Sequence, residues 1–347
     1  MTTILVTGGS GFIGSHTCLI LLDSGHELIV LDSYINSSPI ALERVSILNN
    51  NLDSITIIQG DIRDAELLSS IFLSAISNGK PIQAVIHFAG LKSVAESVNE
   101  PMLYWDVNVA GAINLFQTMD EFNCRTIVFS SSATIYGSSV NELLTEESEL
   151  KPINPYGQTK LVVEEILNSL YENVLNNWRI ACLRYFNPVG AHPSGKIGEH
   201  PLEKPNNLFP YISQVAVGLR DSLTIFGNDW PTIDGTGVRD YIHVMDLAEA
   251  HSAALQYLLG ENRSLIKLNI GTGKGTSVLE LVKTFEAVNK CQIPYVFSNR
   301  RLGDVPFAVA NNQLALKYLD WKPKRTLEDI CRDGWQWQKL NPSGYSR

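Results

Sequence analysis

The sequence predicts an α/β protein in which a doubly wound parallel sheet carries a smaller α/β lobe. Continuous apolar segments of strand length alternate with helical segments, as in parallel sheets that helices cover on both faces. A glycine-rich turn joins the first strand to the first helix. At 347 residues the chain exceeds the usual size of one hydrophobic core, which favours a second lobe.

The first strand, the glycine-rich turn and the first helix together predict a Rossmann-type dinucleotide site. An apolar strand at residues 4–6 enters the turn T-G-G-S-G-F-I-G, and an apolar helix follows through Leu22. Glycines at positions 8, 11 and 14 permit a tight turn, close approach of a pyrophosphate and close helix–strand packing. The N–H groups and the dipole of the helix N-terminus attract the anion.

An acidic residue completes this unit. The next strand, residues 27–31, ends at Asp32, which lies 18 residues beyond Gly14. A carboxylate at this distance binds a ribose 2′-hydroxyl and disfavours NADP by repelling its 2′-phosphate. The polar residues 33–39, which include Asn36 and Ser37, are expected to cover the adenosine end. We therefore predict NAD as the cofactor.

Two further strands bring residues to the same edge of the predicted sheet. Residues 55–59 form a strand that Asp61 follows, and Asp61 has two interpretations that the sequence leaves open: an acceptor for the adenine amino group, or a helix N-cap. A helix is predicted near residues 65–76. Residues 84–88 form the next strand, and the small residues Ala89 and Gly90 allow a ligand to approach the backbone.

A tyrosine and a lysine are predicted to lie on one face of a later helix. Residues 101–122 are predicted to be helical, and a strand at residues 125–129 leads to Ser132 at the same sheet edge. Asn154 and Pro155 are a typical N-cap and first helical residue. The following Tyr156 and Lys160 are four residues apart. A nearby ammonium, the helix N-terminus and an oxidised nicotinamide would each stabilise a tyrosine phenolate.

Composition narrows the possible partners. The net charge of −9 disfavours nonspecific binding to nucleic acid or an anionic membrane, and no apolar run approaches the ~20 residues that span a bilayer. The first strand begins almost at the initial Met, so we expect no signal peptide and a cytoplasmic location. Five cysteines without a close pair are expected to be reduced core thiols, and the scattered histidines predict no metal site.

The second half is predicted to bind the substrate. We expect a dinucleotide-binding domain at residues 1–183, with a later return of the chain near 240–260, and a second domain at 184–347. The glycine-rich stretch 271–275 lacks the spacing of a phosphate-binding loop and is expected to be a turn before a helix at Val278. Three tryptophans are expected to pack in the core: Trp321, Trp335 and Trp337.

Longer motifs run almost from end to end. They are T-G-G-S-G-F-I-G-S-H, H-F-A-G-L-K, S-S-S-A-T-I-Y-G, P-Y-G-Q-T-K, R-Y-F-N-P-V-G-A-H-P-S-G, P-N-N-L and D-G-T-G-V-R-D-Y-I-H-V-M-D-L-A. With these motifs the chain resembles the UDP-glucose 4-epimerase branch of the extended short-chain dehydrogenase/reductase family. The resemblance implies tightly bound NAD that is not consumed, a UDP-sugar substrate and a homodimer formed by helices near 101–122 and 155–176.

The resemblance also implies individual roles. Tyr156 is the expected base, Lys160 holds the nicotinamide ribose, and Ser132 hydrogen-bonds the reacting sugar hydroxyl. The other expected cofactor contacts are Gly8, Gly11, Phe12, Ile13, Gly14, Asp32, Asn36, Ser37, Asp61, Ile62, Phe88, Ala89, Gly90, Lys92, Asn108 and Phe186. The other expected substrate contacts are Lys92, Asn187, Asn207, Thr224, Ile225, Phe226, Arg239, Arg301, Asp304 and Ala308.

The implied reaction inverts C4 of a UDP-hexose. Hydride passes from C4 to NAD, the resulting 4-keto sugar turns, and hydride returns to its opposite face. One alternative is a nucleotide-sugar 4,6-dehydratase, but relatives of that type carry Asp-Glu where this chain has Ala133 and Thr134. The other is a non-catalytic NAD-sensing protein, which would need no Tyr156–Lys160 pair.

Two departures from the family pattern affect the expected contacts. Val107 replaces an asparagine, which leaves Asn108 as the expected cofactor contact of that segment. Ala308 replaces the tyrosine that some members place beside the sugar's 2-position. The smaller residue predicts that UDP-N-acetylhexosamines also fit.

Overall fold

The computed structural model describes residues 2–50, 54–137, 143–202, 205, 207–301 and 304–345. Its strands, in chain order, are β1 (Thr3–Thr7), β2 (Glu27–Asp32), β3 (Ile55–Gln59), β4 (Ile82–His87), β5 (Thr126–Ser132), β6 (Arg179–Tyr185), β7 (Asn187–Val189), β8 (Leu223–Phe226), β9 (Val238–Arg239), β10 (Tyr241–His243), β11 (Ser264–Ile270), β12 (Thr276–Ser277), β13 (Tyr295–Ser298) and β14 (Phe307–Ala308).

Helices connect these strands. In chain order they are α1 (Phe12–Asp23), α2 (Pro39–Asn49), α3 (Ala65–Ser77), α4 (Val94–Asn99), α5 (Pro101–Trp105), α6 (Gly111–Glu121), α7 (Pro155–Glu172), α8 (Leu208–Ala216), α9 (Val244–Leu259), α10 (Val278–Asn289), α11 (Gln313–Leu319) and α12 (Leu327–Leu340). None of the helices in the described ranges is both long enough and apolar enough to cross a membrane.

A parallel sheet of seven strands forms the centre of the fold, in the order β11-β6-β5-β4-β1-β2-β3. Every residue of β1 is buried, since helices cover both faces of the sheet. The chain first builds outward from β1 to β3 and then crosses back to β4. This reversal between β1 and β4 opens a crevice at the carboxyl ends of the strands, which is where ligands bind in such folds. The predicted Rossmann-type sheet is confirmed.

The later part of the chain returns to this sheet. Helix α9 packs against α1, close to the predicted return at residues 240–260. Strand β11 then pairs with β6 and forms the edge of the sheet. The remaining strands form three small sheets: β10 with β7, β9 between β12 and β14, and β13 with β8. A separate hydrophobic cluster that includes Phe209, Leu281 and Phe285 supports them.

The predicted helix at residues 101–122 contains a π-helical turn. A π-helical turn at Asp106–Ala110 separates α5 from α6. Such turns insert a residue into an α-helix and often occur at functional sites. Here the turn brings Asn108 into the protein, where it is 4% exposed. Periodicity alone could not predict it, because the apolar pattern on both sides is helical.

The predictions for cysteine and tryptophan agree with the structure. All five cysteines are free thiols, and Cys18, Cys124, Cys182 and Cys331 are buried. Trp321 and Trp337 are buried at 6% and 4% exposure, and Trp335 packs against the second-half cluster. The stretch 271–275 is a turn that precedes α10, as predicted.

Candidate active site

The glycine turn forms a cradle at the N-terminus of α1. Gly8 has φ 72°, and a Cβ atom there would lie 2.6 Å from the Ala89 nitrogen. A Cβ atom on Gly14 would lie 2.4 Å from the Gly8 carbonyl oxygen. Gly11 is the N-cap, and within the described ranges no side chain caps α1. The helix N–H groups are therefore available to an anion.

The surroundings of the turn also fit a dinucleotide. Among the described residues, the buried hydroxyl of Ser10 has no hydrogen-bond partner. The same cleft is lined by Gly8, Gly11, Phe12, Ile13, Gly14, Asp32, Asn36, Ser37, Asp61, Ile62, Phe88, Ala89, Gly90, Lys92, Tyr156 and Lys160. Most of the predicted cofactor contacts therefore line one cleft.

Asp32 joins the glycine turn to the polar segment after β2. Its Oδ2 accepts the Ser10 N–H at 2.8 Å. Its Oδ1 accepts the Tyr34 N–H at 2.9 Å and the Ser37 hydroxyl at 2.7 Å. These three donors fix a carboxylate that is only 7% exposed at the end of β2.

The N-cap interpretation of Asp61 is wrong. Asp64 caps α3, since its Oδ1 accepts the Leu67 N–H at 2.9 Å. Asp61 instead pairs with Arg63 at 2.7 Å, and this hydrogen-bonded ion pair lowers the pKa of the Asp61 carboxyl. Arg63 also reaches Asp106 at 2.6 Å. Asp61 lines the cleft as an ionised acceptor, with Ile62 beside it.

Tyr156 and Lys160 come from the first turns of α7. As predicted, Asn154 is the N-cap, with its Oδ1 accepting the Gly157 N–H at 2.8 Å, and Pro155 is the first helical residue. The Lys160 ammonium lies 5.9 Å from the centroid of the Tyr156 ring and donates to the Ser130 carbonyl at 2.7 Å. Burial lowers the pKa of Lys160 to about 8.

Burial and a hydrogen bond act in opposite directions on the phenol of Tyr156. Burial raises the pKa of Tyr156, and a hydrogen bond with Ser132 opposes this increase without reversing it. Ser132 also accepts from the Thr134 hydroxyl at 3.0 Å, which fixes its side chain at the end of β5.

Asn108 was predicted to contact the cofactor, but it does not line the cleft. Its Oδ1 accepts the Leu91 N–H at 2.7 Å, and its Nδ2 donates to the Leu91 carbonyl at 3.0 Å and to the Thr159 hydroxyl at 3.1 Å. These bonds join the turn after β4 to α7. The neighbouring Val107 lines the cleft instead. Asn108 therefore holds two walls of the cleft together.

A carboxylate that the sequence did not indicate bridges two predicted contacts. Glu199 lines the cleft, and its side chain is 10% exposed. Its Oε1 accepts from the Lys92 ammonium at 3.2 Å and from the Asn207 amide at 2.9 Å. Lys92 follows β4, whereas Asn207 precedes α8, so Glu199 connects the two halves of the chain across the cleft.

A second cluster collects the predicted contacts of the nucleotide end. Arg301 donates to Asp304 at 3.0 Å, and its guanidinium carbon lies 4.9 Å from the centroid of the Phe226 ring. The half-buried Arg239 lies close enough for its pKa to respond to Asp304 and Arg301, and burial lowers that pKa. The structure thus brings together a cationic pair and an aromatic ring.

Strand β8 presents alternate residues to this cluster. Thr224 and Phe226 are exposed, but Ile225 is 2% exposed and packs in the second-half core. Ile225 is one of the predicted substrate contacts, and the period of the strand turns its side chain inward. Asn206 of the P-N-N-L motif lies outside the described residues, as do Leu302 and Gly303 between the predicted contacts Arg301 and Asp304.

Strand ends around the two clusters hold the remaining predicted contacts. Phe186 is 8% exposed and joins a hydrophobic cluster with Ile135, Tyr136 and Ala310, while its neighbour Tyr185 lines the cleft. Asn187 begins β7, and its N–H donates to the Asp240 carbonyl at 3.0 Å. Ala308 pairs in register with Arg239. It is half-buried beside the cationic pair.

Comparison with known proteins gives the family. A family model described as GDP-mannose 4,6 dehydratase matches residues 5–334. The UDP-glucose 4-epimerase of Bacillus subtilis (strain 168) is 50% identical over 342 residues, which cover 99% of this chain and 98% of that protein. The chain belongs to the UDP-glucose 4-epimerase family.

Solved structures agree with this family. The UDP-glucose 4-epimerase of Stenotrophomonas maltophila, solved with NAD and formylated UDP-arabinopyranose, has a TM-score of 0.94 and 45% identity, with 99% of each chain covered. The enzyme of Bifidobacterium longum, in complex with NAD+ and UDP, has a TM-score of 0.92 and 43% identity, with 99% of this chain and 100% of that chain covered.

Sequence reasoning missed several residues of the epimerase cleft. Ser130 and Tyr185 form a close hydroxyl–hydroxyl contact, and both line the cleft near Lys160. Ser130 lies in the same motif as Ser132, and Tyr185 lies in the same motif as Phe186. Glu199, His200 and Tyr345 also line the cleft. These three come from loops far along the chain, and no local pattern in the sequence distinguishes them.

Proposed function

We propose that this chain catalyses NAD-dependent C4 epimerisation of UDP-hexoses, an isomerase reaction of the UDP-glucose 4-epimerase type. The observation that carries the proposal is the position of Tyr156 and Lys160 in the cleft that begins at the glycine cradle, with Ser132 hydrogen-bonded to Tyr156. The chain is also 50% identical over nearly its full length to an epimerase. Bound NAD would accept a hydride from the sugar and return it.

The protein side chains would then transfer one proton to and from the sugar. Tyr156 removes the proton from the 4-hydroxyl group of the sugar and later returns it, while Ser132 hydrogen-bonds the same hydroxyl. Lys160, buried and held by the Ser130 carbonyl, provides a fixed positive charge beside the phenol. This charge would hold the nicotinamide ribose. The 4-keto sugar must turn between the two transfers, so its ring is held loosely.

The nucleotide must be held firmly while the sugar turns. Arg239 and Arg301 can donate charge-assisted hydrogen bonds to a diphosphate. Exposed Phe226, next to the Arg301 guanidinium, offers a face for the uracil ring. We propose that Asn187 and Asn207 also contact the UDP-sugar. The binding energy thus comes from the end of the substrate that does not react.

The two alternative functions fit less well. A 4,6-dehydratase needs a second acid–base pair near the tyrosine, but Ala133 has no such group and the Thr134 hydroxyl is bonded to Ser132. A NAD-sensing protein has no need of the cationic pair at the nucleotide end. The family relatives favour neither alternative.

Incubation of the purified protein with UDP-glucose, without added cofactor, tests the proposal. We expect UDP-galactose to form, and Tyr156→Phe to lose about 10²–10⁴-fold in rate while it keeps its bound NAD. Thr145→Ala, outside the cleft, is the control. Formation of a 4-keto-6-deoxy product would support the dehydratase instead. Unchanged turnover of Tyr156→Phe would remove the tyrosine from the mechanism.

We propose that the substrate range includes UDP-N-acetylglucosamine and UDP-N-acetylgalactosamine. Ala308 is half-buried beside Arg239, and its small side chain leaves volume for an acetamido group. Ala308→Tyr should reduce the rate on acetylated sugars relative to UDP-glucose. If the ratio of the rates on acetylated sugars and on UDP-glucose is the same in the variant and in the unmodified protein, the volume at Ala308 does not determine the substrate range.

We further propose a cytoplasmic homodimer that acts in galactose metabolism, with residues 1–183 binding NAD and 184–347 binding the UDP-sugar. The apolar residues Met102, Leu103 and Ile113, exposed by 77%, 39% and 37%, support association through the helices near 101–122. Light scattering on Met102→Glu tests the dimer. If the variant has the same mass in solution as the unmodified protein, this face is not the dimer interface.

A further inference from the structure

We propose that the C-terminal segment Asn341–Tyr345 is part of the cofactor site and retains the dinucleotide. Tyr345 lines the same cleft as the glycine cradle, together with the loop at residues 198–201. No motif of the sequence pointed to this segment. The inference rests on the proposed function only in taking NAD as the occupant of the cleft.

The segment holds the loop at successive residues. The Tyr345 hydroxyl donates to the Gly198 carbonyl and accepts the Gly198 N–H, both at 3.1 Å. The Trp337 indole N–H donates to the Glu199 carbonyl at 3.1 Å. The Tyr345 N–H donates to Nδ1 of His200 at 3.2 Å. Loop residues 198, 199 and 200 are thus each bonded to the C-terminal region.

The geometry of the segment depends on Gly344. Its φ of 74° lies in the left-handed region that side chains other than glycine rarely adopt. A Cβ atom at this position would lie 2.0 Å from the His200 ring. Both constraints require glycine, because any larger residue would separate Tyr345 from His200.

The segment is also attached to the dinucleotide-binding half. Arg44 of α2 donates to the Asn341 Oδ1 at 2.6 Å and to the Lys196 carbonyl at 2.9 Å. Its guanidinium carbon lies 5.2 Å from the centroid of the Tyr345 ring. Burial raises the pKa of the Tyr345 hydroxyl, and Ser15, which follows the last glycine of the cradle, lies close enough to oppose this increase. The segment therefore lies near both the cradle and the loop.

Retention follows from this arrangement. In this proposal a dinucleotide in the cleft contacts the loop at residues 198–201, and movement of that loop requires its bonds to Tyr345 to break. Loss of the two Tyr345 hydroxyl bonds and of the ring should therefore raise the rate of NAD release. Net hydrogen-bond contributions of about 1 kcal/mol each correspond to an increase of about tenfold or more.

The test compares Tyr345→Ala, Tyr345→Phe and Gly344→Ala with Lys339→Ala, an exposed position on α12. NAD content is measured after denaturation of the purified proteins, and release is followed in the presence of an NAD-consuming trap. We expect release to accelerate about tenfold in Tyr345→Ala and Gly344→Ala and less in Tyr345→Phe, and to be unchanged in Lys339→Ala. Excess NAD should restore turnover of Tyr345→Ala.

Two results would overturn the inference. Release from Tyr345→Ala at the rate of the unmodified protein would mean that the segment does not retain the cofactor. Lost turnover that excess NAD does not restore would assign Tyr345 a purely structural role. Failure of the proposed function is distinct, since the unmodified protein would then contain no NAD or would not convert UDP-glucose.

Discussion

The catalytic helix is attached to the sheet by a buried ion pair. Glu164 of α7 and Arg184 of β6 are each 1% exposed, and their closest contact is 2.6 Å. The Arg184 Nε also donates to Glu164 at 3.0 Å, and Ser131 donates to the same carboxylate at 2.5 Å. Ser131 precedes Ser132, and Glu164 lies one helical turn beyond Lys160. The pair therefore positions both elements of the candidate active site.

Replacing Glu164 with Ala should leave a buried, unpaired guanidinium. Breaking a buried pair in this way costs about 3–5 kcal/mol. Arg184 would keep its bonds to the Tyr136 hydroxyl at 3.0 Å and to the Glu146 carbonyl at 3.1 Å. Since these two partners survive, we expect a loss near the lower limit, about 3 kcal/mol in the free energy of unfolding.

Urea unfolding followed by circular dichroism measures this loss. The double variant Glu164→Met with Arg184→Met removes both charges and should be less destabilised than Glu164→Ala alone. Lys80→Ala is the control, since its ion pair with Glu27 leaves the lysine side chain 56% exposed and should contribute at most about 1 kcal/mol. A loss below about 1 kcal/mol in Glu164→Ala, or a double variant of lower stability, would refute the reasoning.

Two further predictions concern the cradle and the buried histidines. Gly14→Ala places a Cβ atom 2.4 Å from the Gly8 carbonyl, so the purified protein should contain little NAD while its circular dichroism is retained; stoichiometric NAD would contradict this. Burial lowers the pKa of His16 and of His87 to about 3, so the unfolded chain binds protons that the folded protein excludes as the pH falls below about 6.5. The free energy of unfolding should fall by about 2 kcal/mol per histidine by about pH 5, and His87→Gln should reduce that fall. Unfolding measured at two pH values tests this. An equal fall in the variant would exclude His87 as a cause.

The parts of the site that the sequence predicted depend on local geometry. The glycine cradle, Asp32 and the first turn of α7 each follow from residues that lie within one strand–turn–helix unit. Asn154 could be predicted as the N-cap because its partner, the Gly157 N–H, is three residues away. Short-range patterns of this kind determine where a strand or helix ends, and in a parallel sheet those ends lie along one edge.

The parts that sequence reasoning missed depend on distant contacts. The bond between Tyr345 and Gly198 joins residues 147 positions apart, and that between Glu199 and Lys92 joins residues 107 positions apart. Asn108 was given the wrong partner for a related reason. An asparagine side chain suits a ligand contact as well as a hydrogen bond within the protein. Only the π-helical turn directs Asn108 towards Leu91 and Thr159.

The surroundings of Tyr156 have a consequence for the mechanism. A spacing of four residues predicts that the ammonium of Lys160 is near the phenol, but it says nothing of burial, which raises the pKa of Tyr156 and lowers that of Lys160. Desolvation opposes both charged forms. An oxidised nicotinamide, the predicted occupant of the cleft, would carry a positive charge that stabilises the phenolate. Proton removal by Tyr156 would then depend on the same occupancy that the C-terminal segment is proposed to maintain.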